Sequence, residues 1–171
     1  MPERRVFLSY HYETDFLRAD KIRRMNKQNN KLLFSEDYWE NIDNQTDEGI
    51  QNWIDNELEQ SDCLVVLIGE ETAKKKWINY SIKQAYELDK GIAGIFVHRL
   101  LDQEGDPSER GEDPFHYIDL NGIKFSRFVQ RFESEHVTER YVYHDIRRNF
   151  AQLVEDAMGH PPSTWDWDIY R

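Results

Sequence analysis

Cys63-Leu64-Val65-Val66-Leu67-Ile68-Gly69 decides the fold. The run has no polar side chain from 63 to 68 and is rich in branched residues, so both faces of the strand it forms must be buried. Strands buried on both faces lie at the centre of parallel sheets covered by helices. The segments on either side fit that arrangement. Arg5-Val6-Phe7-Leu8-Ser9-Tyr10 reads as a first strand and Lys31-Leu32-Leu33-Phe34 as a short second one. Between them, a helix capped by Thr14 runs to about Lys27, with Phe16, Ala19, Ile22 and Met25 in only loose helical spacing. Thr46 caps the next helix, where Ile50, Trp53, Ile54 and Leu58 form an apolar stripe.

Downstream, Trp77 to Asp89 is expected to be helical and to end at Gly91. Ala93-Gly94-Ile95-Phe96-Val97 is then the fourth strand. Residues 98–136 break the alternation with an acidic, turn-rich excursion that reads as a lid or mobile insertion. Arg140-Tyr141-Val142-Tyr143 is expected to supply the fifth strand. Ile146, Phe150, Leu153, Val154 and Ala157 mark a last helix, stopped at Gly159. The expected architecture is a doubly wound α/β sheet of about five parallel strands with flanking helices. One domain spans 1–159, with an aromatic and acidic tail at 160–171. That tail, with Trp165, Trp167 and Tyr170 between acids, reads first as a strap on the domain's own surface and second as a docking strand.

Composition narrows the function. The chain has 171 residues, enough for one domain that buries roughly 70% of its unfolded surface. With 22 basic and 33 acidic residues, its formal charge is −11, which repels phosphodiester backbones and argues against nucleic acid. Cys63 is the sole cysteine and reads as a small buried hydrophobe, so no internal disulfide is available. No apolar run reaches the ~18 residues of a membrane helix, and Met1 to Arg5 leads directly into a strand. These features point to a cytoplasmic protein that does not enter membranes.

Ligands of open α/β sheets sit at the carboxyl ends of the strands. Four segments converge there: Ser9-Tyr10-His11, Ser35 to Trp39, Gly69 to Thr72, and His98-Arg99. Neither GxGxxG nor GxxxxGK[ST] occurs, and the six histidines show no HExxH spacing. With a single cysteine, a structural zinc is not indicated, and no metal is expected. Lys74-Lys75-Lys76 before a helix suits a pyrophosphate, although a solvated helix start is the plainer reading.

Arg5-Val6-Phe7-Leu8-Ser9-Tyr10-His11, Ser35-Glu36-Asp37-Tyr38-Trp39-Glu40, Val65 to Gly69 with Thr72, and Lys76-Trp77-Ile78-Asn79-Tyr80 occur in this order over about residues 4–97. Together they resemble the TIR-like proteins of Thoeris antiphage defence systems, the ThsB type. The resemblance implies a flavodoxin-like fold and a site where NAD, as substrate, is split at the nicotinamide–ribose bond. The product would be an ADP-ribose-type signal that activates an effector protein. It places Ser9, Tyr10, His11, Asp37, Trp39 and Trp77 at the nucleotide, and it puts Ser81 where the family carries its catalytic glutamate. Serine hydrogen-bonds but brings no charge. A replacement acid is therefore sought among Glu36, Asp37, Glu70 and Glu71. Two other readings stay open: a catalytically silent TIR-like module for nucleotide binding or self-assembly into a homo-oligomer, and a plain flavodoxin-like domain.

Overall fold

The computed structural model describes residues 2–35 and 39–170. Its main sheet has five parallel strands in the order β2-β1-β3-β4-β7. They are β1 (Arg4–Ser9), β2 (Leu32–Phe34), β3 (Cys63–Ile68), β4 (Gly91–Phe96) and β7 (Gln130–Phe132). A small antiparallel hairpin, β5 (Asp119–Leu120) and β6 (Ile123–Lys124), stands apart from it. As its sequence requires, β3 is wholly buried, registering Val6 against Cys63 on one side and Cys63 against Gly91 on the other.

Helices α1 (Tyr12–Met25) and α4 (Glu139–Gly159) pack together on one face. On the other face, α2 (Asp47–Gln60) packs with α3 (Lys76–Glu87). This is the doubly wound, flavodoxin-like arrangement, with its switch point between β1 and β3. The Thr46 side chain caps α2 by accepting from the Gly49 N–H at 3.0 Å. Tyr80 of α3 donates to Asp55 of α2 at 2.8 Å; burial first, then that carboxylate, pushes its phenol up to about 12.

Three boundaries differ from expectation. The fifth strand is Gln130–Phe132, whereas residues 140–143 form the first turns of α4. Val142, Ile146 and Phe150 are all buried at intervals of four, so Val142 belongs to the helical stripe despite its β-favouring neighbours. Helix α1 begins at Tyr12, and the Thr14 hydroxyl donates back to the His11 carbonyl from inside the first turn. At the end of α3, Asp89 takes the left-handed conformation (φ 57°) that Gly91 was expected to supply. Gly91 instead opens β4, where an added Cβ would come within 3.0 Å of the Ala157 backbone.

Residues 98–136 are tied to the body. Arg18 donates to the carbonyls of Leu100 and Asp106. Arg110 pairs with Glu133 and lies 4.2 Å over Phe96, and Arg131 pairs with Asp113. The backbone of Gly111 packs so closely on that of Gly69 that no Cβ fits between them. The tail also folds back: Trp165 stacks on Phe128 (4.9 Å, 5°), with Tyr86 and Phe125 alongside. Among the described residues no helix is long and apolar enough to cross a membrane.

Candidate functional site

A cavity of about 390 Å³ opens at the carboxyl ends of β1 and β2, against the start of α3. Each wall comes from a turn that the topology delivers to this edge. Tyr10, His11, Tyr12 and Glu13 follow β1, Trp39, Glu40 and Ile42 follow β2, and Lys75 to Ile78 open α3. Trp39 is fixed by donating its indole N–H to the Leu8 carbonyl at 3.1 Å, and it meets Tyr10 edge to face at 6.3 Å.

Charge is distributed unevenly around this cavity. Lys75 is the N-cap position of α3, and no side chain caps the first-turn N–H groups. Those donors and the helix dipole leave partial positive charge at this wall. Lys76 pairs with Asp47 at 2.6 Å and lies 4.7 Å over the Trp77 ring. Lys75 makes no ion pair among the described residues. Opposite, the His11 ring nitrogen is 3.4 Å from Glu71 and 4.0 Å from Glu13.

Of the residues singled out in the sequence, Tyr10, His11, Trp39 and Trp77 line this cavity. Asp37, with Glu36, lies outside the described residues. Ser9 and Ser81 do not line it. Both are fully buried, and their hydroxyl oxygens are 2.8 Å apart. Ser81 donates to the Ile78 carbonyl at 2.8 Å, so its single proton is committed and it accepts from Ser9. The hydroxyl pair is therefore closed off from solvent. Glu70 and Glu71 are exposed, and only Glu71 reaches a cavity residue, His11.

Sequence reasoning passed over Glu13, which with Glu40 brings carboxylates to the wall, and the ion pair of Asp15 with Arg18. Asp15 and Arg18 are both essentially inaccessible, with Nη1 and Oδ1 2.7 Å apart. Burial raises the Asp15 pKa against the lowering effects of Arg18 and Thr14. Asp15 also packs directly on Gly69 at the end of β3. The signal was present: positions 15, 18, 19, 22 and 25 form one helical stripe, and two of them are ions.

Among the described residues, the carboxylates near enough to share a cation are Asp102, Glu104 and Asp106. None of them lines the cavity, and Asp102 already accepts the N–H groups of Glu104 and Asp106.

Comparison with known proteins bears on this site. Residues 7–102 match the family described as Thoeris protein ThsB, TIR-like domain. ThsB1 of Bacillus cereus (strain MSX-D12), a proposed cyclic ADP-D-ribose synthase, is 29% identical over 121 residues. That match covers 67% of this chain and 62% of ThsB1, so the chain spans less than two thirds of that relative's length. Among solved structures, the CMP N-glycosidase BcmB of Clostridium botulinum superposes with a TM-score of 0.50 at 12% identity, over 84% of this chain and 97% of that one. At that identity the likeness is one of fold.

Proposed function

The chain belongs to the Thoeris ThsB TIR-like domain family, and from that premise we propose that it splits NAD at the nicotinamide–ribose bond to give an ADP-ribose-type signal. The observation that carries this reading is the cavity at the β1/β3 switch point. It joins aromatic walls, an uncapped helix start with Lys75, and carboxylates within one 390 Å³ space.

Trp39, Trp77 and Tyr10 offer flat apolar surfaces to the nicotinamide and ribose. Lys75, Lys76 and the first-turn N–H groups of α3 hold the pyrophosphate through charge and dipole. Bond cleavage builds positive charge on the ribose ring as in glycoside hydrolysis, and a carboxylate stabilises it. Ser81 is sealed off and takes no part. Glu13 both lines the cavity and sits beside His11, so it supplies that charge, and a bound nucleotide would cover it from solvent. The carboxylate stabilises charge without forming a bond. The ribosyl carbon–nicotinamide nitrogen bond breaks and nicotinamide leaves neutral, while the oxygen of water or of a substrate hydroxyl bonds to that carbon and gives up its proton through the Glu13 carboxylate to solvent. An effector protein reads the product, and the protein acts in the cytoplasm without a metal.

A second reading, a silent nucleotide-binding or assembly module, is favoured by the closed Ser9–Ser81 pair. Following nicotinamide release from NAD, by the unmodified chain and by Ser81→Glu, separates the two. Release by the unmodified chain supports the enzyme. Activity only in Ser81→Glu identifies a silent domain with a surviving pocket, and silence in both leaves binding or assembly.

A further inference from the structure

A second cavity, of about 290 Å³, is bounded by Asn41 and Ile42 of the 39–44 turn and by Gln45, Gly49, Ile50 and Trp53. Ile42 is a wall of both cavities. Trp39 in the first and Trp53 in the second meet edge to face, 4.7 Å between ring centroids. The two spaces are therefore neighbours, separated by one short turn and one aromatic pair.

Their chemistry differs. Among the described residues no cationic side chain lines the second cavity. Ile42, Ile50 and the Trp53 indole make it apolar, which suits a flat heteroaromatic ring. At its rim, the carboxamides of Asn41 and Gln45 make no side-chain hydrogen bond among the described residues. A carboxamide presents a donor and an acceptor side by side, matching an adenine edge, where the amino group adjoins a ring nitrogen.

Resting on the reading of the first cavity as the NAD site, we infer that the second cavity is the adenine subsite. The dinucleotide bridges the 39–44 turn, with its adenine against Trp53 and its amino edge at Asn41 and Gln45. Nicotinamide and pyrophosphate stay in the first cavity.

Asn41 and Gln45 are exposed, so Asn41→Leu/Gln45→Leu removes both amides with little risk to the fold. Gln45→Trp fills the space instead. Binding of AMP and of nicotinamide mononucleotide to the unmodified chain and both variants is followed by saturation-transfer NMR, and NAD affinity by calorimetry. The expected result is AMP and NAD binding weakened about tenfold in both variants, with nicotinamide mononucleotide unchanged. AMP binding that survives both substitutions, or AMP silent where the nicotinamide mononucleotide binds, overturns the adenine subsite and leaves the NAD reading standing. Equal loss of both mononucleotides in the variants also counts against a separate subsite. Neither mononucleotide binding the unmodified chain overturns the NAD reading itself, and this inference with it.

Discussion

Ser9 Oγ at the end of β1 and Ser81 Oγ in α3 are 2.8 Å apart in a fully buried hydrogen-bonded pair. A hydroxyl here serves as a hydrogen-bonded fastener between strand and helix, at the position where the family resemblance placed an acid. Removing Ser81 strands the Ser9 hydroxyl in the core, whereas Ser81 keeps its bond to the Ile78 carbonyl when Ser9 is removed.

Ser81→Ala should therefore destabilise the chain by about 1–3 kcal/mol, and Ser9→Ala by the smaller value of one lost hydrogen bond, about 0.5–1.5 kcal/mol. The double variant should lose less than the sum, because no unpaired hydroxyl remains. Urea denaturation of the three variants measures this. NAD turnover should survive Ser81→Ala; its loss would make Ser81 a catalytic residue and contradict the closed-pair account.

Among the described residues Lys75 is the cation without an ion pair at the start of α3, so Lys75→Glu should act on phosphate binding. Charge-assisted hydrogen bonds of this kind contribute about 1.5–3 kcal/mol, so KM for NAD should rise by roughly tenfold or more with kcat little changed. Raising the salt concentration should narrow the difference between the two proteins. A fall in kcat at constant KM would assign Lys75 to the chemical step instead.

Asp15 and Arg18 lie on the core stripe of α1, so cutting Asp15→Ala leaves a buried guanidinium without its carboxylate. The expected cost is about 3–5 kcal/mol. For a chain of this size that lowers Tm by roughly 2–4 °C per kcal/mol. Calorimetry checks this, and a loss under 1 °C would mean that Arg18 holds its place through the Thr14, Leu100 and Asp106 carbonyls.

His98 is buried and its Nδ1 has no hydrogen-bond partner among the described residues, and desolvation, the largest effect, lowers its pKa from 6.5. Glu133 opposes that shift, while Arg99, Arg110 and Arg18 add to it. The unfolded chain therefore takes up a proton before the native one does. The stabilisation is fully present above about pH 6.5 and is lost as pH falls through that value toward the lower native one. Denaturation midpoints between pH 7.5 and 5 should show this slope, and His98→Phe should flatten it. An unchanged slope in the variant would locate the titrating group elsewhere.

The parallel sheet was legible because β3 is an unbroken apolar run and the Thr46 cap and α2 stripe are locally explicit. The edge was not. Strand β7 is three residues, Gln130-Arg131-Phe132, none fully buried, so it carries neither alternation nor a continuous apolar run. Residues 140–143 look like a strand only when cut from the stripe that continues to Ala157. At the site, the aromatic positions could be placed because they sit directly after strands. That Ser81 faces Ser9 rather than the cavity depends on the rotation of α3 about its axis, which short motifs do not encode. Glu13 was hidden because an acid in the first turn of a helix looks like an ordinary solvated side chain.

The central claim is that this cavity cleaves NAD with Glu13 supplying the negative charge. The most direct test is nicotinamide release from NAD by the unmodified chain and by Glu13→Gln, quantified by chromatography. The account predicts release by the unmodified chain and a loss on the order of 10²–10³ in kcat for Glu13→Gln. No release by the unmodified chain, or full activity in Glu13→Gln, would contradict it.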